Sequence, residues 1–457
     1  PAILQQISQE VLAVKLFLVG FTLLLMIVKA QDTVTMLESL LQTGPIPEAG
    51  EVAYKGVHMG VTVIDANTGE ALFNHNADDS FTPASSLKLL TTAAILDKLG
   101  IGYTFTTQVL GGVVAEGSVP YLVLRGVGDP TLTPTGGHSL QTLAGQLFEA
   151  GIRNVTDLYI DDFAFDHPRW GNGWMWDDPA YPIGAIFLDG PDAPYAEMIG
   201  EEVTPNPELV TKPEVYALEI GALFRTALEN AGITVSGNVL RQVATSNDQV
   251  LTSITSAPLI DIVIPTNKQS INEYTEQLYV RLGLADEAIG SAPSTPDSSY
   301  EALAAFLTKT GINPDETRLR DASGLSRYNL ISPNQLATVL RYMYLNPLVR
   351  EESVPAPKVA YQQNQNVFIE SLPIAGTGEA TAEAAARGGS LRNRLINMGL
   401  DVRAKTGSMT GISSLSGYMT TDSGRILVVV MLMDNYVGAG SDLRRLQDAL
   451  LVEMRTF

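Results

Sequence analysis

The chain has 457 residues, 45% apolar and 17% charged, with 40 glycines and 25 prolines. This is the balance of a globular protein with material for more than one core, and it excludes a disordered, collagenous or coiled-coil chain. Fifty acidic residues against 29 basic ones leave a net charge of −21, so the surface repels phosphate backbones and no nucleic-acid partner is expected; the lack of any cysteine excludes disulfides, thiolate metal sites and a cysteine nucleophile.

Near the N-terminus, Leu16 to Val28 is a run of 13 uncharged, mostly apolar residues. A bilayer core ~30 Å thick needs ~20 helical residues, so the run is short for a span and fits the apolar region of a signal peptide. Lys15 precedes it, and Val28-Lys29-Ala30 supplies small residues for cleavage after Ala30. A signal segment over 1–30 and an exported, periplasmic or extracytoplasmic protein are expected, with an uncleaved anchor as the alternative. Gly60–Asp65 and Ala71–His75 flank an Asn67-Thr-Gly69 turn and read as a hairpin. Ser85 to Leu99 reads as a helix that Gly100 stops. Thr106–Val114 and Tyr121–Gly126 are strand-like. The stretch from Gly128 to about Pro213 is rich in Gly, Pro and Asp and holds all three tryptophans, Trp170, Trp174 and Trp176. Glu214–Ala231 is an amphipathic helix, and helical text resumes after Pro258 through Leu282. Ile412–Met419 and Arg425–Met433 are strands around the Thr421–Gly424 turn, and Asp442–Met454 is a helix. Helices mixed with hairpins imply an α+β or α/β sandwich.

The four histidines lie in no His-Glu-x-x-His helix, and there is no Gly-x-Ser-x-Gly elbow, so zinc hydrolysis and histidine triads lose their support. A lysine base remains. Ser85-Ser-Leu-Lys88 puts a hydroxyl and an amine three apart at a helix start, where they share a face and where free N–H groups help stabilise an oxyanion. Lys405-Thr406-Gly407-Ser408 offers a cation, two hydroxyls and a glycine on a β-edge, a receptor for an extended peptide ending in carboxylate, with the glycine letting the substrate backbone approach. Ser270-Ile-Asn272 would aim a hydroxyl and an amide into one cleft. Each motif alone has a blander reading: a helix cap with a solvated lysine, an ordinary turn, a Ser or Asn cap.

Their order, Ser-x-x-Lys, Ser-x-Asn, Lys-Thr-Gly, is that of the penicillin-binding proteins and serine β-lactamases. With Phe81-Thr-Pro-Ala-Ser-Ser-Leu-Lys-Leu-Leu-Thr-Thr92, Gly128-Asp-Pro-Thr-Leu132, Asp161 and Phe165 followed by Gly173-Trp-Met-Trp-Asp-Asp178, Asp321-Ala-Ser-Gly-Leu-Ser-Arg327 and Ser371-Leu-Pro-Ile-Ala-Gly376, the chain resembles the class C low-molecular-mass penicillin-binding proteins, the D-alanyl-D-alanine carboxypeptidase/endopeptidase family. The 182 positions from Lys88 to Ser270 are too many for a β-lactamase and suit a member with an inserted domain. The resemblance implies a transpeptidase-like (serine β-lactamase-like) domain, an antiparallel sheet flanked by helices, formed by 31–103 and 255–457. An α/β domain at 104–254 interrupts it. Pro191–Pro213 is too short for the third domain that relatives nest there, which is therefore expected to be reduced or missing. Ile271 in the second motif and a Glu379–Gly389 insertion depart from the family pattern.

By resemblance, Ser85 is the acylated nucleophile and Lys88 its base, with a pKa expected to be depressed by desolvation and by the Lys405 cation. Ser270 relays a proton to or from the leaving amine, and Asn272 holds the substrate backbone and Lys88. Thr406 and Ser408, helped by Lys405, bind the terminal carboxylate, and the N–H groups of Ser85 and Ser408 form the oxyanion hole. Asp161 would bind an ammonium and Arg327 a carboxylate of the stem peptide, between apolar walls from Leu325 and Met409. The tryptophan cluster is expected to be packing rather than a sugar platform. The implied activity is a serine-type D-Ala-D-Ala carboxypeptidase or DD-endopeptidase acting on peptidoglycan stem peptides and acylated by β-lactams, with no metal or organic cofactor. The competing readings are a β-lactamase or esterase on the same scaffold and a catalytically silent peptidoglycan-binding protein.

Overall fold

The computed structural model describes residues 29–45, 54, 56–175, 178, 182–190 and 212–457. The apolar run before residue 29, Trp176 and the stretch 191–211 lie outside them. No helix among the described residues is long and apolar enough to cross a membrane.

Two sheets organise the chain. The first has the order β2-β1-β11-β10-β9, built from β1 (His58–Asp65), β2 (Ala71–His75), β9 (Val402–Met409), β10 (Ile412–Thr420) and β11 (Ile426–Asp434), and every pairing is antiparallel. The expected hairpin is β1–β2. Strand β11 reads Ile-Leu-Val-Val-Val-Met-Leu-Met because both its faces are covered. Ile426, Val428, Val430 and Leu432 join the core shared with helices α2 (Lys88–Leu99), α5 (Leu259–Gln269), α6 (Asn272–Leu282), α7 (Pro296–Thr310) and α8 (Pro333–Leu345). The alternate residues Leu427, Val429, Met431 and Met433 pack instead against α1 (29–43) and α12 (Gly440–Met454).

The second sheet has the order β6-β5-β4-β3-β8, with β7 also on β5. Its strands are β3 (Thr106–Gly111), β4 (Ser118–Arg125), β5 (Asn154–Asp161), β6 (Thr234–Val235), β7 (Val239–Arg241) and β8 (Gln249–Thr255). Strands β4 to β7 run parallel around β5, and β3 is antiparallel to both neighbours. Helices α3 (Leu140–Glu149) and α4 (Pro213–Asn230) bury Leu143, Leu147, Phe224 and Leu228 against Leu122, Leu124, Leu158 and Ile160. The chain enters and leaves this domain side by side. Thr106 pairs with Thr255, and Phe105 and Ser256 exchange N–H···O bonds of 2.9 Å (backbone to backbone) and 3.0 Å (Phe105 N–H to Ser256 Oγ). The inserted α/β domain thus hangs on a closed neck.

Two local departures from the sequence reading matter for the site. The helix expected from Ser85 begins as a 3₁₀ turn, Ala84–Leu87, and becomes α-helical only at Lys88. Ala84 has φ 46°, a left-handed conformation costing an L-residue about 1–2 kcal/mol, and it swings the Ser85 turn out of the line of the helix. The helical text through Leu282 is likewise broken, because Ser270 caps α5 in the left-handed region at φ 65°. The chain turns there and restarts at Asn272. Three short helices, α9 (Pro357–Gln362), α10 (Val367–Glu370) and α11 (Ala382–Gly388), lead back to the edge strand β9.

Candidate active site

Three remote stretches meet beside the end of α2. Lys88 Nζ donates to Ser85 Oγ at 3.1 Å, to Asn272 Oδ1 at 2.7 Å and to the carbonyl oxygen of Ser323 at 2.7 Å. In a 3₁₀ turn residues i and i+3 eclipse, so the Ser85–Lys88 contact survives the change of helix type. Lys405 Nζ donates to Ser270 Oγ at 2.9 Å and to the carbonyl oxygen of Thr406 at 2.7 Å. Both lysines are fully buried, while Ser85, Ser270 and Asn272 are half-buried. Thr406 donates its hydroxyl to Ser390 Oγ at 2.8 Å, and Ser408 is exposed on β9, the last strand of its sheet, whose outer edge is bridged near its start by Ile374 opposite Arg403.

Burial lowers Lys88 to about 8, working against the nearby carboxylates of Asp321, Glu276 and Glu273, which favour the ammonium. The expected push from Lys405 falls the other way. Lys405 lies well below its usual value through burial first and the Lys88 charge second.

Gly407 lies against the turn that carries the nucleophile. A Cβ there would stand 2.2 Å from Ser414 Oγ, 2.8 Å from the Pro83 oxygen and 2.9 Å from the Ser85 nitrogen. The glycine lets the nucleophile's own turn lie against β9, and Ser414 Oγ ties that turn down through Pro83 O at 2.7 Å and Ser86 Oγ at 2.8 Å. From the other side Gly324 closes on Ala84: a Cβ at 324 would be 1.9 Å from the Ala84 oxygen.

The loop holding Ser323 is built by residues to which the motifs assign no role. Glu276 on α6 accepts the Ser323 N–H at 2.7 Å and the Ala322 N–H at 3.1 Å, and burial raises its pKa. Its sequence signal is weak: it lies four after Asn272, on the same helical face. Asp321 accepts from the Gly324 and Ser326 N–H groups at 3.0 and 2.6 Å, from Asn329 Nδ2 at 2.6 Å, and from the indole of Trp174 at 2.8 Å. Trp174 is buried and edge-on to Trp170, with centroids 5.4 Å apart, which is packing, as expected. Ile271 also packs on the core.

Of the outer residues, Arg327 Nη1 donates to the Thr410 oxygen at 3.2 Å, drawing the Leu325–Arg327 end of the loop to the β9–β10 turn that follows Met409. Leu325 and Met409 are both half-buried. Asp161 is not drawn into this group. It is buried at the end of β5, where its oxygens accept the Ala244 N–H at 3.0 Å and the Phe163 N–H at 3.2 Å, with Arg125 Nε 3.6 Å away.

Two serine–lysine pairs, each with a buried lysine and a half-buried serine, beside an edge strand are the arrangement of a serine acyltransferase with a lysine base. The D-Ala-D-Ala carboxypeptidase 3 (S13) family model matches residues 49–192 and 198–455. The chain belongs to this family. It is a serine-type hydrolase of that class. It is similar to the D-alanyl-D-alanine carboxypeptidase of Actinomadura sp. (strain R39), 29% identical over 89% of this chain and 82% of the relative. It is also similar to the D-alanyl-D-alanine carboxypeptidase DacB of Haemophilus influenzae, 25% identical over 84% and 86%. The crystal structure of penicillin binding protein 4 (dacB) from Haemophilus influenzae shares the fold at a TM-score of 0.69 and 23% identity, covering 92% of this chain and 99% of that one. The same protein complexed with a β-lactam superposes at 0.66, 22% identical, over the same shares.

Proposed function

We propose that this S13 hydrolase cleaves the bond after a D-alanine in peptidoglycan stem peptides through an acyl-enzyme on Ser85. The observation that carries the reading is the set of three acceptors around Lys88. When the amine is neutral, Asn272 Oδ1 and Ser323 O accept hydrogen bonds from its two N–H groups, and its lone pair is left facing Ser85 Oγ. Ser85 Oγ then bonds to the substrate carbonyl carbon as its proton passes to Lys88 Nζ. The oxyanion lies between the N–H groups of Ser85 and Ser408. As the C–N bond breaks, Ser270, held by Lys405 Nζ, hands its proton to the leaving amine and is reprotonated by the Lys88 ammonium, which leaves Lys88 neutral again. Water next attacks the ester carbonyl, Lys88 takes the water's proton and returns one to Ser85 Oγ, and the shortened peptide leaves.

In this reading Thr406 and Ser408 bind the terminal carboxylate, and Gly407 seats the nucleophile turn. Arg327, Leu325 and Met409 receive the far end of the stem peptide. With two backbone N–H groups and Arg125 already on its carboxylate, Asp161 braces the inserted domain rather than binding an ammonium. We read the transpeptidase-like domain as 31–103 plus 255–457 and the insertion as 104–254, in a periplasmic or extracytoplasmic enzyme. β-Lactams, which present a strained amide next to a carboxylate, would acylate the same serine. Labelling with a fluorescent penicillin tests the reading: the wild type is expected to label and Ser85→Ala to stay dark, whereas equal labelling of both would end the assignment. Mass analysis of a digest of purified peptidoglycan then separates loss of a terminal D-alanine from cleavage of cross-links.

A further inference from the structure

The insertion 379–389, which departs from the family pattern, ends at the substrate side of β9. Its helix α11 runs into the 3₁₀ turn Gly389–Leu391, and Ser390 in that turn is the residue whose Oγ accepts from Thr406 at 2.8 Å. The arm is pinned where it arrives. Lys268, buried two residues before Ser270, donates to the carbonyl oxygens of Leu372 at 2.5 Å and Arg387 at 2.9 Å. Gly389 has φ +50°, and a Cβ on it would lie 2.3 Å from the Lys268 oxygen. One at Gly388 would lie 2.0 Å from Thr377 Oγ1. The same end of α5 that carries Ser270 therefore also sets the position of Ser390.

We propose that Ser390 is a specificity-determining residue: oriented by the Thr406 hydroxyl, which donates to it, it donates its own proton to the free carboxylate of the peptide or β-lactam. The inference rests on the function proposed above and extends it to a residue outside the three motifs. Its ground is a count of donors. Lys405 is fully buried and its Nζ is held beneath the strand by Ser270 and the Thr406 carbonyl, so the hydroxyls, not this amine, stand at the exposed strand edge. Two hydroxyls that share one hydrogen bond always keep one O–H proton unused, whichever way the bond runs. The hydroxyl that carries it is polarised by its neighbour. Ser390 is exposed and Thr406 half-buried, so the free proton is open to a ligand beside β9. With Thr406 donating to Ser390, as found, the proton offered outward belongs to Ser390 itself.

The test compares acylation rates of wild type, Ser390→Ala and Ser390→Thr by benzylpenicillin and by its methyl ester, which keeps the lactam and removes the charge. Loss of one charge-assisted hydrogen bond corresponds to about a tenfold change. Ser390→Ala is expected to slow benzylpenicillin by about that factor, leave the methyl ester unaffected, and be rescued by Ser390→Thr. An equal fall with both probes would mark a merely structural role and overturn the inference, as would no change with either. If the wild type is acylated at Ser85 and Ser390→Ala is indistinguishable from it, only this inference fails. If the wild type is not acylated at all, the proposed function fails with it.

Discussion

Lys88 Nζ and the carbonyl oxygen of Ser323, 235 positions apart in the chain, are joined by a 2.7 Å hydrogen bond. That bond and the one to Asn272 fix the direction of the amine, and burial fixes its proton affinity at about 8. Roughly a tenth of the molecules then hold the neutral amine at pH 7. Acylation by a penicillin is therefore expected to rise about tenfold per pH unit at low pH and level off around a midpoint near 8. Rates measured from pH 6 to 10 would show this; a limb centred on the 10.5 of a free lysine would remove Lys88 as the base.

The contact between Gly324 and Ala84 predicts a separation of strain from function. Gly324 (φ +85°) faces the Ala84 oxygen, whereas Gly311 (φ +93°) has nothing within 4 Å of an added Cβ. Alanine at either position costs about 1 kcal/mol of backbone strain. Only Gly324→Ala also pushes on the turn that carries Ser85, so it is expected to slow acylation by about two orders of magnitude. Gly311→Ala should acylate normally with a slightly lowered melting temperature. Equal acylation rates in the two variants would show that the turn tolerates the push.

Glu273, in the first turn of α6, is raised to about 7, chiefly by burial. The folded protein therefore keeps a proton on this carboxyl between pH 4.5 and 7 that the unfolded chain releases, and stability falls as pH rises through that window. Glu273→Gln removes the titration while keeping an acceptor for the backbone. Relative to wild type the variant should gain stability from pH 4.5 to 7, by up to about 3 kcal/mol for a shift of that size. Denaturant unfolding at several pH values checks this, and a stability difference that does not vary with pH would show that Glu273 titrates normally.

What was legible in the sequence was local. The serine–lysine spacing at 85 and 88, the apolar run of β11 and the Asn-Thr-Gly hairpin turn all encode their structure within a few residues, and each appears in the fold as read. The 3₁₀ start at Ala84 was not legible, because the left-handed backbone there is matched to Gly324, which lies far away in the chain. Nor were the roles of Glu276, Asp321 and Ser390. A carboxylate that accepts backbone N–H groups 46 and 47 positions on leaves no periodicity behind. Gly407 was legible as a needed glycine, but its close packing on the Ser85 turn was not, because spacing alone does not reveal it.

Asn272 gives the most direct test of how the amine is tuned. Its Oδ1 accepts from Lys88 Nζ at 2.7 Å, so Asn272→Asp puts a negative charge at hydrogen-bond distance with almost no change in shape. An opposite charge that close favours the ammonium. The alkaline form that accepts the Ser85 proton becomes rarer, and the acylation limb should move upward by one unit or more, slowing the reaction at pH 7 about tenfold or more while the rate at high pH recovers. Asn272→Ala removes the acceptor without adding charge and should slow acylation across the whole pH range, because the lone pair loses its aim. A limb that stays near its wild-type position in Asn272→Asp would mean that Lys88 is not the group that titrates during acylation.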